Sequence, residues 1–281
     1  MNLLMQISFI NQFTKTMKKI CTTKYGEIYL IQKDNKPAIL KIDYDDENIR
    51  LVNKFDSYFD HELLCKIYKV DLCNNSIIME YLEGVSLNEI ESFEERIYRS
   101  SAFFQKWIPT LYRIKRPDSF KLINYSDKFV SIIERCDDTR IKEYQLEEII
   151  NQYLIEIKKQ FCGDLYLLHG DVHRRNMICV DDNQIKLIDL SPVLGPVMYE
   201  YVKFFEEELY GILAESEFEY RYTFMTRAFK LESKDFLPLL FLDSCYRMFD
   251  TLFVDNDDSE LSLMMQLNYR LWRLMNNGLE I

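Results

Sequence analysis

His169-Gly-Asp-Val-His-Arg-Arg-Asn176 runs directly into Met177-Ile-Cys-Val-Asp-Asp-Asn-Gln-Ile-Lys-Leu-Ile-Asp189, and this stretch decides the fold. Its second half reads as a β-hairpin turning at Asp182-Asn183, two residues that tolerate positive φ. Pairing around a two-residue turn places 181 opposite 184 and 178 opposite 187, and therefore Asn176 opposite Asp189. Cross-strand neighbours have Cβ atoms about 4.5–5.5 Å apart. An amide and a carboxylate at that distance suit one hard cation, which takes oxygen ligands.

The first half has the spacing H-x-D-x-x-x-x-N. In the catalytic loop of phosphoryl-transfer enzymes that spacing gives an Asp that receives or orients the substrate hydroxyl proton and an Asn that binds magnesium. Upstream, the chain reads as strand, strand, helix, strand, strand. Glu27–Gln32 and Ala38–Ile42 flank a turn at Lys33–Pro37. Asp45–Tyr58 carries Ile49, Val52 and Phe55 at helical spacing, with acids in its first turn. Leu64–Val70 and Ser76–Tyr81 follow. After Gly84 the period becomes helical. Ser86-Leu-Asn-Glu89 has capping-box spacing, and Glu94–Leu111, Lys142–Phe161, Tyr199–Ala214 and Leu237–Phe253 read as helices, with Pro238 fitting a first turn. The expected architecture is α+β in two lobes: a mainly β lobe over 1–84 ending in a hinge, and a helical lobe over 85–281.

Composition narrows the function. The 281 residues carry 35 Lys+Arg against 46 Asp+Glu, a net charge of −11. Such a surface repels a phosphate backbone, so general nucleic-acid binding is disfavoured and a cationic partner is favoured. No run of about 18 uncharged apolar residues is present to span a membrane. The apolar start, Met1–Ile10, lacks a basic flank and a small-residue cleavage pattern, and reads as a structured N-terminus. Seven scattered cysteines without a Cys-x-x-Cys pair point to reduced thiols and a cytoplasmic setting. With only seven glycines each position is informative, and four of them are Gly26, Gly84, Gly170 and Gly195.

The segment Leu168–Glu200 resembles the aminoglycoside phosphotransferases and the choline-kinase-like enzymes of protein-kinase-like fold. Their pattern is His-Gly-Asp-x-His-x-x-Asn, a strand ending in Ile-Asp, then a Gly followed five residues later by an acid. Here these are His169-Gly170-Asp171-Val172-His173, Asn176, Ile188-Asp189, Gly195 and Glu200. Ser191-Pro-Val-Leu-Gly-Pro196 is similar to the streptomycin 6-phosphotransferase and hydroxyurea-kinase branch. The resemblance implies roles. Asp171 is the catalytic acid–base group, and Asn176 and Asp189 hold Mg²⁺. Lys41, in Ala38-Ile-Leu-Lys41, meets the α/β phosphates of ATP (GTP is the alternative), paired with Glu47 or, second, Asp46. Gly26 belongs to the phosphate-covering loop, and Glu80, Tyr81 and Leu82 offer hinge backbone to adenine beside Met79. His173 sits near the γ-phosphate. Three positions depart from the pattern: a single glycine in the phosphate loop, Arg174-Arg175 where Pro-Gly is common, and Glu200 where Asp is usual.

The implied acceptor is a small cationic molecule, first an aminoglycoside antibiotic, taken up by a monomer or weak dimer. Between 200 and 260 there are 15 acids and 6 bases, so most of the net charge lies there. These acids read either as a solvated face or as a cation-attracting cleft, with Glu200, Asp243 and Asp250 as acceptor contacts. Two other functions share the sequence features: a metabolic alcohol kinase for choline, homoserine or a thio-sugar, and a catalytically silent kinase-like binding or regulatory protein. A protein kinase fits less well, since Asp189-Leu-Ser191 stands where Asp-Phe-Gly would and no Ala-Pro-Glu follows.

Overall fold

The computed structural model describes residues 17–44, 46–114, 125–134, 141–142, 144, 146–255 and 258–277. The expected N-terminal element at Met1–Ile10 and Cys136 lie outside them. The chain divides into two compact units, Met1–Glu89 with Asn176–Pro192, and Ile90–Arg175 with Val193–Ile281.

In the first unit, β1 (Lys18–Thr22), β2 (Gly26–Lys33), β3 (Lys36–Asp43), β4 (Ile67–Asp71) and β5 (Ser76–Glu80) form one antiparallel sheet in the order β1-β2-β3-β5-β4. Asp34 and Asn35 connect β2 to β3 at φ 51° and 62°, the signature of a two-residue turn whose twist matches the strands. That turn fixes the register from Lys33↔Lys36 to Gly26↔Asp43. Between β3 and β4, α1 (Asp46–Phe55) opens on Asp46 and Glu47 and buries Ile49, Val52 and Phe55. Ile31, Ala38, Leu40 and Ile78 form a core cluster in the sheet, each large side chain contributing about 1.5–3 kcal/mol by its burial.

The expected lobe boundary at residue 84 differs from this division. Short strands β6 (Val85–Ser86), β8 (Met177–Cys179) and β9 (Ile185–Leu187) form a three-stranded sheet in the first unit. The Leu187 carbonyl accepts from Cys65 N–H at 2.7 Å, and Leu187 N–H donates to the Leu63 carbonyl at 2.8 Å. These long-range backbone bonds carry the 176–192 hairpin into the unit of the N-terminal sheet.

The second unit is mainly helical: α2 (Phe93–Leu111), α3 (Tyr125–Ile133), α4 (Glu147–Gln160), α5 (Val202–Leu209), α6 (Glu215–Phe229), α7 (Ser233–Asp250) and α8 (Asp258–Asn277). A two-stranded pair, β7 (Tyr166–Leu168) with β10 (Val193–Gly195), sits among them. The Ser86/Glu89 spacing closes a 3₁₀ turn at Leu87–Glu89 and opens no helix. Helix α2 starts instead at Ser92, whose hydroxyl accepts from Glu95 N–H at 3.2 Å. Helix α7 begins four residues before the expected Leu237, so Pro238 lies inside it. Phe104, Phe204, Phe205, Phe229 and Phe236 interlock in the core, with ring centroids from 4.6 to 5.9 Å apart. These rings are structural.

Candidate active site

The first unit holds one set of candidate groups. Lys41 stands on β3 opposite Ile28 and Ile77. Its ammonium donates to Asp189 Oδ1 at 2.9 Å and lies 3.6 Å from Asp43 Oδ2. Burial alone would lower the Lys41 pKa. The charges of Asp189 and then Asp43 outweigh it, so the net shift is upward and the lysine stays charged. Its partners are thus Asp189 and Asp43 and not the expected Glu47, which is exposed in the first turn of α1. Asp43 was legible only as part of an acidic run.

The hairpin carrying Asn176 and Asp189 has a different register from the two-residue turn. Met177 faces Leu187, Ile178 faces Lys186 and Cys179 faces Ile185. Val180 N–H donates to the Gln184 carbonyl at 3.0 Å, which leaves Asp181, Asp182 and Asn183 as the loop. The cause is local. The Asp181 carboxylate accepts from Asn183 N–H at 2.7 Å and closes an Asx turn one residue longer than predicted. A one-residue slip would normally reverse the faces. It brings Ile188 opposite Asn176, with Ile188 N–H donating to the Asn176 carbonyl at 3.0 Å. Asp189 then follows beyond the ladder with φ 57°, a left-handed turn that redirects its side chain toward Lys41. Asn176 is buried, and the Asp189 side chain is 32% exposed.

Two further expected sites lie in this unit. A Cβ on Gly26 would meet the Ile42 carbonyl at 2.2 Å, so the glycine is required by close strand packing. The Thr23 hydroxyl accepts from Gly26 N–H at 3.1 Å and from Tyr25 N–H at 3.2 Å. Those two amides are engaged within the turn. At the hinge, the Glu80 carboxylate pairs with Lys186 at 2.9 Å, while Tyr81 and Leu82 continue past the last ladder pair, Ala38↔Glu80. Met79 lines, with Lys41, Cys65 and Asp189, a cavity of about 20 Å³, room for one water.

The second unit holds the catalytic-loop sequence. His169 is fully buried, and its Nδ1 accepts from Asp171 N–H at 3.3 Å, which fixes the loop's turn. Gly170 adopts φ 84°, where other residues are strained. Its N–H donates to Glu200 Oε1 at 3.0 Å, and the Trp107 indole donates to Glu200 Oε2 at 2.7 Å. Glu200 is therefore a buried brace under the loop and not the predicted acceptor contact. Burial drives its pKa up to about 7, against the opposing bonds from Gly170, Trp107 and the His169 backbone.

The Asp171 side chain is 41% exposed, with Oδ2 3.5 Å from His173 Nε2. Burial of its surroundings works to raise this carboxyl. The bond and charge of His173 prevail, with Lys203 and His169 adding to them, and hold it at about 2. His173 lies between two acids, its Nδ1 being 3.6 Å from Glu207 Oε2. Glu207 also accepts from Arg174 N–H at 3.1 Å and pairs with the Arg175 guanidinium at 2.7 Å. Arg174 NH1 lies 3.6 Å from Glu208, which Arg96 grips with two bonds of 2.8 and 2.7 Å. The two arginines that replace Pro-Gly thus lace the loop to α5. The triplet Glu206-Glu207-Glu208 was the missed sequence signal, complementary in charge to Arg174-Arg175.

Asp243 also lies away from solvent. It accepts from the Tyr199 hydroxyl and from Lys203 Nζ, the latter at 2.8 Å, and is 1% exposed. Burial opposes its ionisation, but Lys203 lowers its pKa overall, while burial and Asp243 push neighbouring Glu206 up to about 8. Asp250 is half-buried at the end of α7. The 200–260 acids divide: Glu200, Glu206, Glu208 and Asp243 are buried, while Glu215, Glu219, Glu232 and Asp235 are exposed. Arg247 reaches Glu206 at 3.2 Å and Glu260 at 3.3 Å, and Arg270 reaches Glu215 at 2.8 Å.

Among the described residues no three His, Cys, Asp or Glu side chains gather as a metal cluster. An oxygen pair such as Asn176 and Asp189 nevertheless fits Mg²⁺, which usually takes one or two protein ligands and completes its shell with phosphates and water. Likewise, no helix among the described residues is long and apolar enough to cross a membrane. All six described cysteines are free thiols.

Comparison with solved structures identifies the fold. A thermostable mutant of aminoglycoside phosphotransferase APH(4)-Ia, in ternary complex with AMP-PNP and hygromycin B, is similar over 97% of this chain and 99% of that one, with TM-score 0.73 and 11% identity. The chain has the fold of the aminoglycoside phosphotransferases. Choline kinase LicA from Streptococcus pneumoniae shares this kinase-like fold over 95% of this chain and 97% of that one, with TM-score 0.65 and 14% identity. APH(2″)-IIa, in a ternary complex with streptomycin and ATP, does so over 97% and 99%, with TM-score 0.62 and 15% identity. No family model and no curated protein matches the sequence.

Proposed function

We propose that the chain is an ATP-dependent phosphotransferase that moves the γ-phosphate to a hydroxyl of a small molecule. The observation that carries this reading is the Lys41–Asp189 ion pair on a hairpin that begins at Asn176, five residues after the half-exposed Asp171. In this reading Lys41 orients the nucleotide phosphates, and the Glu80–Leu82 backbone meets the base, with GTP as the alternative nucleotide. Asn176 and Asp189 would hold Mg²⁺, which when bound neutralises charge on the transferring phosphoryl group. Asp171 accepts the hydroxyl hydrogen bond and directs the oxygen in line; the phosphorus–oxygen bond to ADP breaks as the new one forms, and the hydroxyl proton is released by way of Asp171 to water. With a pKa held near 2, Asp171 works chiefly by orientation and charge and is a weak proton sink at neutral pH.

A cationic acceptor, first an aminoglycoside, is supported by the complexes of hygromycin B and streptomycin in structures of the same fold. Glu200 and Asp243 no longer support it, being buried and internally bonded. The choline kinase likeness favours an amino-alcohol acceptor as the second reading. ADP release measured across aminoglycosides and amino alcohols, with wild type beside Asp171→Asn, tests both. Acceptor-dependent release that the substitution abolishes supports the function, and equal release from both proteins would refute the assignment of Asp171.

A further inference from the structure

The second unit contains a cavity of about 730 Å³ bounded by α8, the start of α4 and the end of α7. Its lining includes none of His169, Asp171, His173, Glu200, Lys203 or Asp243. The volume falls within the roughly 300–1,000 Å³ of small-molecule sites. Leu146, Ile149, Met248 and Met265 make it apolar, and Tyr144, Tyr269 and Trp272 add aromatic surface. Tyr269 and Trp272 are nearly parallel, at 24° with centroids 6.2 Å apart, and form one continuous wall. The Arg273 guanidinium lies 6.0 Å from the Tyr269 ring centre and 3.7 Å from Glu215, whose carboxylate offsets its charge. Glu148 is the single charged residue of the lining.

Aromatic faces attract cations, and methionine side chains adapt to irregular apolar groups. One carboxylate at the border of such a cavity sets the sign of the ligand it prefers. We propose that this cavity is a binding site for an amphipathic organic monocation, its apolar body against Met248 and Met265 and its charge between Glu148 and the Tyr269–Trp272 wall. The site is separate from the catalytic-loop residues and does not depend on phosphoryl transfer. A polyhydroxylated polycation would leave most of its polar groups unpaired against this lining.

Binding without nucleotide tests this separately from any turnover. Three probes of similar body are titrated against the full chain by calorimetry and by fluorescence of the half-buried Trp272: 3-phenylpropyltrimethylammonium, 3-phenylpropanol and 3-phenylpropionate. The cation is expected to bind at least tenfold more tightly than the alcohol, and the anion more weakly than both. Glu148→Gln, at an exposed position, should bring the cation to the alcohol's affinity and leave the alcohol unchanged. Ser262→Phe, also exposed on α8, narrows the cavity and should weaken both while the thermal transition stays in place. Equal affinity for the three probes, no saturable binding of the cation, or cation affinity that Ser262→Phe leaves unchanged would overturn the proposal.

Discussion

Asp171 and Glu200, both within the second unit, behave in opposite ways. Asp171 is 41% exposed and held ionised, near pKa 2, by His173 and nearby positive charge. Glu200 is 2% exposed and is pushed to about 7 by burial although it accepts three N–H bonds. Solvent access and an adjacent imidazole keep the first ionised at an open face. Enclosure commits the second to the backbone of Gly170 and the indole of Trp107. The acids able to do chemistry are those with a cationic neighbour and an open side, and net charge alone does not distinguish them.

The largest expected effect breaks the comparison at Asp171. Asp171→Asn keeps the shape of the loop and removes the negative charge, and acceptor-dependent ADP release should fall by about 10²–10⁴-fold. Circular dichroism should show an unchanged fold. A matching loss on Glu200→Gln at constant stability would mean that the two acids are not distinguished as described.

Next in size is the lacing of the loop to α5. Arg96 and Glu208 form a buried bidentate pair, and Arg96 also donates to the carbonyls of Ile90 and Glu91. Arg96→Ala removes the bidentate partner of buried Glu208 and leaves only the longer 3.6 Å approach of Arg174, so denaturant unfolding should show a loss of about 3–5 kcal/mol. Glu207→Gln removes the charge facing His173, Arg174 and Arg175. It should reduce kcat more than it reduces stability, because these groups fix the loop that carries Asp171.

These contacts also mark the limits of what the sequence reveals. The β2–β3 hairpin was legible to within two residues at each end because Asp34-Asn35 is a local turn signal. Asp189 and Asn176 were legible as a pair, yet their register was not, since the Asp181 side chain adds one residue to the loop. Lys41 stood out by its strand position; its partner Asp43 lies on the same strand, while Asp189 depends on a fold-level approach across 148 residues. The acids of 200–260 showed their sign but not their burial. Lys203-x-x-Glu206 and Asp243-x-x-x-Arg247 place opposite charges one helical turn apart in apolar helices, a spacing compatible with either a wet face or an internal network. Arg96–Glu208 had no local signal at all.

The pH dependence of stability separates the two carboxylates further. Glu200 has a raised pKa in the folded state, so its stabilising contribution is complete below about 4.5 and is lost as pH rises toward about 7. The shift corresponds to a change on the order of 3 kcal/mol across that window. Glu200→Gln mimics the protonated form, and its unfolding midpoint should lose this part of the slope between pH 4.5 and 7. Asp171 has the opposite sign: its contribution is present above the ordinary 3.8 and disappears only as pH falls toward 2. Asp171→Asn should therefore leave the slope between 4.5 and 7 as it is in wild type.

The smallest effect belongs to ion pairs that resemble the internal ones in charge alone. Arg50 and Asp46 meet at 3.0 Å with side chains 69% and 56% exposed. Both ends are solvated, each side chain gives up rotamer freedom to form the contact, and salt screens what remains. Arg50→Ala should change unfolding free energy by about 0.3–0.5 kcal/mol, a difference that vanishes in high salt. Arg96→Ala should keep most of its cost there, because water and ions do not reach Glu208. If both substitutions responded equally to salt, burial would not be what divides the scaffold acids of this chain from its exposed ones.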